Sequence, residues 1–245
     1  MSYRSIRLFI NQKLVVGNTA TLSEKMSHYL NAVMRCTTAD VIKCFNASDG
    51  EFFAEIQNID KKQTTIKVQK QIRKPIKEKD IWLLFAPLKK DKTDFVIEKA
   101  VELGASKIVP VITARTNSAK VKIERFELQA IEAAEQCERM SVPEIGKTSN
   151  LNKLLKEWDA SRLLFFMDER RKGKTAEEAF ISSRGKKTAL LIGPEGGFNE
   201  EEKELLNKQP FVINVSLGPR ILRAETAATA ALAVWQAIAG DWRKS

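Results

Sequence analysis

The sequence predicts an α/β chain in two parts: a small β-barrel with one inserted helix, then a larger domain in which strands alternate with helices around a mostly parallel sheet. Three observations predict it. Residues 1–73 hold four short strand-like runs separated by turn signals, with one amphipathic helix among them. From Ile81 onward, apolar runs of five or six residues alternate with helical patterns. Between the two lies Arg73-Lys74-Pro75-Ile76-Lys77-Glu78-Lys79-Asp80, so that 74–80 reads as a linker between domains at 1–73 and 81–245.

In the first domain, strands are expected at Ile6–Ile10, Val41–Phe45, Glu51–Ile59 and Thr64–Gln71, with Ala47-Ser48-Asp49-Gly50 as a hairpin turn. Ser23 is an N-cap for a helix running to about Met34, with Met26, Tyr29, Leu30 and Val33 on one face. In the second domain, Ile81-Trp82-Leu83-Leu84-Phe85-Ala86 opens the sheet. A helix over Asp91–Leu103 stops at Gly104, strand Lys107–Ile112 follows, and a long helix runs from about Ile123 to Met140. Strand Leu163–Met167 leads into the basic loop Arg170-Arg171-Lys172-Gly173-Lys174. Two buried strands, Thr188–Ile192 and Phe211–Val215, precede an Ala-rich helix that begins near Ala224.

Those last two strands each end in a glycine-proline bend, and four of the 11 glycines fall between Gly193 and Gly218. Gly193-Pro194-Glu195-Gly196-Gly197 makes a rigid turn whose backbone can press against a flat ligand. Leu217-Gly218-Pro219-Arg220-Ile221-Leu222 adds apolar side chains beside a similar bend. Either bend alone reads as a tight turn; two at the carboxyl ends of strands in an open α/β sheet mark a ligand site. Neither G-x-x-x-x-G-K-[ST] nor G-x-G-x-x-G is present, and Glu195 stands where a phosphate cradle needs bare amides. A ligand with an adenosine and no phosphate fits better.

Composition removes other classes. At 245 residues, 43% hydrophobic and 29% charged, the chain has the length for a substantial core. Cys36, Cys44 and Cys137 are odd in number and widely spaced, and His28 is the one histidine, so neither a disulfide framework nor a zinc site is offered. This usage suits a reducing cytosol. No targeting or membrane segment is expected, the Ala-rich stretch Ala224–Ala239 being short and interrupted by Glu225. The net charge is +10; residues 1–79 hold 14 Lys+Arg against 7 Asp+Glu, or +7, as expected if that third lies on a polyanion, and also compatible with a solvated basic surface.

The stretch GPEGGF followed by an acidic helix start, then LG-x-RILR-x-ETA, resembles the signature of the bacterial SPOUT methyltransferases that make N3-methyluridine at position 1498 of 16S ribosomal RNA. The likeness extends through Glu98-Lys99-Ala100-Val101-Glu102-Leu103-Gly104 and Glu132-Ala133-Ala134-Glu135-Gln136-Cys137-Glu138-Arg139, and so covers nearly the whole chain. It implies a C-terminal SPOUT domain with a trefoil knot threaded around Leu217–Leu222, an N-terminal PUA-like RNA-binding β-barrel, a homodimer, S-adenosylmethionine as cofactor, and 16S ribosomal RNA or the small ribosomal subunit as partner; the alternatives are a SPOUT methyltransferase with a different RNA acceptor and a non-catalytic RNA-binding factor, against which the intact GPEGG and LG-x-RILR-x-ETA patterns argue. Ser5-Ile6-Arg7-Leu8-Phe9, His28-Tyr29-Leu30 and Val33-Met34-Arg35 carry the N-terminal part. Met34 stands where the family has leucine, and Ala39 where it tends to have glycine.

The resemblance assigns cofactor binding to Gly193, Glu195, Gly196, Gly197, Leu217, Gly218, Ile221 and Leu222, with Phe166 and Met167 at a neighbouring strand end that also reads as core. It turns Arg4, Arg7, His28 and Arg35 toward RNA, although His28 taken alone reads more readily as a surface or core helix residue. Uracil N3 must lose a proton before it can attack a methyl group, and the imide anion needs a fixed donor, a role that suits arginine. Arg223 is the leading candidate, because a cation gains nothing from the N-terminal end of the helix beginning beside it; a solvated arginine is the alternative. Arg115, Arg139 and Gln136 match further polar positions and read equally as surface ion-pair members. Glu195 and Glu225 are the nearest carboxylates for a base, and helix capping also accounts for Glu225.

Overall fold

A computed structural model describes residues 3–117, 121–170 and 173–243, with the side chains of residues 3–5 outside that description. The chain forms two compact units, one of residues 1–77 with 134–142 and one of residues 78–133 with 143–245. The stretch 74–80 is thus divided between them, and a piece far along the chain joins the first unit.

The first unit contains β1 (Tyr3–Phe9), β2 (Thr19–Thr21), α1 (Glu24–His28), β3 (Val41–Asn46), β4 (Gly50–Ile59) and β5 (Thr64–Arg73). They make a five-stranded sheet in the order β1-β3-β4-β5-β2, parallel between β1 and β3 and antiparallel elsewhere. Alternation decides its inner face: Ile42, Cys44, Phe52, Ala54, Ile56, Ile66 and Val68 share one core with Leu30. At the β3–β4 turn Asn46 Oδ1 accepts from Ser48 N at 3.0 Å and Asp49 N at 2.7 Å, and Gly50 sits at φ 97° with no room for a Cβ beside Arg73 O.

Two expectations for this unit are corrected. Ser23 does cap a helix, its Oγ accepting from Met26 N at 3.3 Å, but the regular helix ends at His28 and continues as a π-type turn over Tyr29–Val33, where Met34 N donates to Tyr29 O at 2.9 Å. The apolar face is nearly as read, with Leu30 buried and Met26 and Tyr29 packed on the core, whereas Val33 is exposed; side-chain spacing fixes a face without fixing the hydrogen-bond period. The second correction is Arg7. Expected on RNA, it is 7% exposed, with Nε donating to Glu51 Oε1 at 2.5 Å, Nη1 to Ala134 O at 2.7 Å and Nη2 to Arg139 O at 2.8 Å, and its guanidinium 3.5 Å from the Phe45 ring centre. It closes the carbonyls at the end of a helix rather than meeting a phosphate.

Ala39 occupies a left-handed backbone conformation, φ 71°, while its N–H donates to Ile56 O at 2.8 Å. A Cβ costs about 1 kcal/mol there. Ala39→Gly is therefore expected to raise stability by about 0.5–1 kcal/mol, less the extra entropy glycine gives the unfolded chain; urea denaturation measures it, and a lower midpoint in the variant would contradict the strain.

The second unit runs β6 (Ile81–Phe85), α2 (Lys90–Glu102), β7 (Lys107–Ile112), α3 (Ile123–Gln136, passing into the first unit from Ala134), β8 (Glu144–Ile145), β9 (Ser149–Asn150), α4 (Leu151–Lys156), β10 (Leu163–Met167), β11 (Lys174–Thr175), α5 (Ala176–Ile181), β12 (Thr188–Ile192), α6 (Glu200–Asn207), β13 (Val212–Ser216) and α7 (Ala224–Ile238). The expected α/β domain is present, with a parallel sheet ordered β11-β13-β10-β12-β6-β7-β8 and β9 paired to β7. Leu84, Leu164, Phe166, Ala189, Leu191 and Phe198 are fully buried in it. Gly104 ends α2 at φ 78°, as the sequence leads one to expect. Helix α3 stops at Gln136, short of Met140, and Glu138 follows at φ 59°. At the opposite end of the sheet Arg162, 4% exposed, makes paired hydrogen bonds to Asp80 at 3.0 and 2.6 Å and stacks 3.8 Å from the Trp82 ring centre. Burial opposes charge on Asp80, yet those bonds and the guanidinium charge hold its carboxyl below the usual range. Among the described residues no helix is long and apolar enough to cross a membrane.

Candidate active site

Strands β13, β10 and β12 are neighbours, and their carboxyl ends lie level, Met167 opposite Val215 and Phe166 opposite Leu191. The loops that leave them therefore meet. Together with the starts of α2 and α7 they enclose a cavity of about 580 Å³, within the range of small-molecule sites. Both glycine-proline bends line it, bringing together all the residues expected at the cofactor: Gly193, Glu195, Gly196, Gly197, Leu217, Gly218, Ile221, Leu222 and Met167. Phe166 does not line it; it is fully buried against Phe198.

The first bend is fixed from below. A Cβ on Gly193 would lie 2.5 Å from the Phe198 ring, and Gly197 takes φ 67° with its N–H on Pro194 O at 2.9 Å. Under Gly197 lies the carboxylate of Glu169, itself held by the buried ammonium of Lys203 at 3.1 Å, which also reaches Glu200 at 3.0 Å. Arg115 Nη1 donates to Gly196 O at 2.7 Å, so the arginine braces the bend from the loop after β7. That loop is anchored by Glu202, whose Oε1 accepts from Ala114 N at 2.8 Å while its Oε2 accepts from Asn199 N at 3.0 Å to complete the cap of α6. The sequence reading missed Glu169, Lys203 and Glu202; the Asn199-x-x-Glu202 capping spacing was the available signal, and nothing local marks the other two.

The second bend has Gly218 at φ 105° with open space where a Cβ would stand, followed by Ile221, 78% exposed, and Leu222. Arg223 is the N-cap of α7, its carbonyl accepting from Ala227 N at 2.8 Å, but its side chain makes no capping bond and, among the described residues, no hydrogen bond or ion pair. Beside it in the cavity is Lys92, another residue the sequence reading passed over, paired with Glu195 and 3.7 Å from Glu225 Oε1. The hydrogen bond to Glu195 is the main reason the Lys92 ammonium is held above its ordinary pKa, against the opposing effect of burial, and the same bond lowers that of Glu195. Glu225 Oε2 is buried and has no partner in the structure.

The remaining candidates belong to the first unit. Arg139, with Nε on Ser141 Oγ at 3.1 Å, and exposed Gln136 lie in its 134–142 segment. His28 and Arg35 are exposed, and His28 shares a shallow depression with Ser23, Lys25, Lys61 and Lys62. The side chain of Arg4 lies outside the described residues, as do Arg171 and Lys172 of the basic loop.

Comparison with known proteins bears on both units. Residues 75–236 match the model of an RNA methyltransferase domain, and residues 22–69 that of an RNA methyltransferase PUA domain. The ribosomal RNA small subunit methyltransferase E of Rickettsia conorii is 36% identical over 229 residues, covering 93% of each chain, and that of Bacillus subtilis is 33% identical, covering 90% and 91%. Among solved structures, the Neisseria gonorrhoeae enzyme of the same name, bound to S-adenosyl methionine, superposes with a TM-score of 0.88 at 27% identity over 97% of this chain and 99% of that one. A Legionella pneumophila chain with the same cofactor bound gives 0.87 at 31%, with the same coverage. With an RNA methyltransferase domain around the cavity, an RNA methyltransferase PUA match before it and such relatives along nearly its whole length, the chain belongs to the ribosomal RNA small subunit methyltransferase E family.

Proposed function

We propose that this protein transfers a methyl group from S-adenosylmethionine to N3 of a uridine in 16S ribosomal RNA, position 1498, within the small ribosomal subunit. The observation that carries the reading is the cavity of about 580 Å³ where three neighbouring strand ends place two glycine bends face to face. Its lining suits that cofactor: bare backbone at Gly193, Gly196 and Gly197, aliphatic walls from Leu217, Ile221 and Leu222, and no phosphate cradle. Bound there, the cofactor supplies an electrophilic methyl group. The protein's part is to hold the adenosine against the bends, exclude water and stabilise the imide anion of the target base. Arg223 is the donor in this reading, and Arg115 positions the Gly196 bend. Glu195 is committed to Lys92, which leaves Glu225 as the carboxylate for proton traffic.

The exposed His28 and Arg35, with Arg4, Lys25, Lys61 and Lys62, form the RNA-facing part of the first unit in this reading, consistent with the +7 charge of residues 1–79. Arg139 and Gln136 reach the RNA or a catalytic centre in a homodimer, and the Leu217–Leu222 segment is the threaded part of a knot. The protein works in the cytosol, where three widely spaced cysteines that form no disulfide among the described residues suit the redox state.

Two measurements test this. Ribosomal RNA from cells lacking the protein is expected to lose one N3-methyluridine by nucleoside mass mapping, regained on complementation; an unchanged modification pattern overturns the assignment. In vitro, Gly196→Val is expected to weaken S-adenosylmethionine binding at least tenfold by calorimetry while the protein stays folded. Gly196 has an ordinary φ and a Cβ there meets only Arg115, at 3.4 Å from Cδ and 3.5 Å from Cβ, so the added side chain pushes aside the arginine that braces the bend without straining the backbone itself. Unchanged affinity in the folded variant overturns the placement.

A further inference from the structure

Lys92 stands where a cation has no local reason to be. It lies in the first turn of α2, whose positive end disfavours it, and its side chain is 31% exposed. Yet its ammonium is held by carboxylates from two separate segments, Glu195 of the first glycine bend and Glu225 of α7. Arg223, on the same wall of the cavity, repels it. Charged groups from three segments thus meet there: Lys92 from α2, Glu195 from the β12 loop, and Arg223 and Glu225 from the start of α7, with Lys89 adding its field at Glu195. Lys89, Lys92 and Arg223 against Glu195 and Glu225 leave this corner of the concave site with one positive charge in excess, carried by an arginine with no ion pair among the described residues, and that favours an anion entering beside Lys92 and Arg223.

We propose that Lys92 is a further catalytic residue, which together with Arg223 forms the cationic wall that holds the ionised imide of the target uracil. This rests on the methyl transfer proposed above. The imide gives its N3 proton by way of Glu225 to solvent, the lone pair so freed forms the bond to the methyl carbon, and the electron pair of the broken carbon–sulfur bond stays on sulfur. Lys92 keeps its own proton throughout, because the Glu195 hydrogen bond and the Glu225 charge favour its ammonium form; it is a fixed point charge and not the base. An RNA phosphate is the other anion such a wall could meet. Placement inside the cavity with the two bends, rather than on the open surface, favours the base.

The test uses full-length protein, small ribosomal subunits from cells lacking it, saturating subunit and cofactor, and a single-turnover readout from pH 6 to 10. Lys92→Met is expected to slow methyl transfer by about a hundredfold, to move the pH at which the rate levels off upward, and to leave cofactor affinity by calorimetry within threefold. Lys92→Arg, which keeps the charge, is expected to restore much of the rate and the parent pH profile. A Lys92→Met rate within threefold of the parent overturns the proposal, as does a parallel loss of rate and cofactor affinity, which makes Lys92 a brace for the Glu195 bend. A normal saturated rate with weaker subunit binding, and a salt dependence reduced by about one charge, makes it a phosphate contact and also overturns it. If the parent protein itself transfers no methyl group to the subunits, the proposed function fails first, and with it the role for Lys92.

Discussion

Arg223→Ala is expected to lower the single-turnover rate of methyl transfer to small ribosomal subunits by about a hundredfold or more, with little change in cofactor affinity. The magnitude is that of removing one fixed donor from a developing anion, about 3 kcal/mol. The structure strengthens the reason for the choice. Arg223 is the N-cap of α7, where a short acceptor side chain is the favourable occupant, and it neither caps the helix nor pairs with a carboxylate. A cation in that position is disfavoured by the helix and repelled by Lys92; Glu195 attracts it through its field but forms no ion pair with it. Lysine at 223 should rescue only in part, since a point charge does not reproduce the planar, two-pronged donor. A normal rate in Arg223→Ala would return the residue to the solvated surface, and equal losses of rate and cofactor affinity would make it a cofactor contact only.

The largest stability effect is expected at Glu51. Glu51→Ala leaves the Arg7 guanidinium buried without its carboxylate, at a cost of about 3–5 kcal/mol. Glu51 is 1% exposed and pairs Arg7 at 2.5 Å, with Arg73 more loosely placed at 3.5 Å and more exposed. The two carbonyl acceptors of Arg7, at Ala134 and Arg139, then have to carry the charge alone, so the 134–142 segment should loosen with it. Urea unfolding gives the cost. Replacing both partners by apolar residues, Arg7→Met with Glu51→Leu, is expected to recover a large part of it, because no uncompensated charge remains. A denaturation midpoint unmoved in Glu51→Ala would mean that Arg7 is solvated, and would reopen its assignment to RNA.

These two arginines show how far local pattern reaches. Both stand in family-like motifs, and both are cations with no visible partner along the chain. Arg223 could be placed because its environment is the helix that follows it, and a helix start is written in consecutive residues. Arg7 could not, since its partners are 44, 127 and 132 positions away. The same distinction separates Ser23, read as a cap and found as one, from Lys203 and Glu169, whose bond supports the Gly193–Gly197 bend from a different element.

By itself the sequence determined the alternation that makes two sheets, the caps and stops of several helices, and the two glycine-proline bends with the apolar runs before them. These depend on φ preference, side-chain period and hydrogen bonds between near neighbours. Only the tertiary structure decided that the bends face each other, because this requires β10 to lie between β13 and β12, an order contrary to that of the chain. It also decided that residues 134–142 join the first unit and that Lys92 faces Glu195 and Glu225. Such pairings between distant residues leave no period or spacing in the chain, since they follow from strand order and from which buried charges must be neutralised.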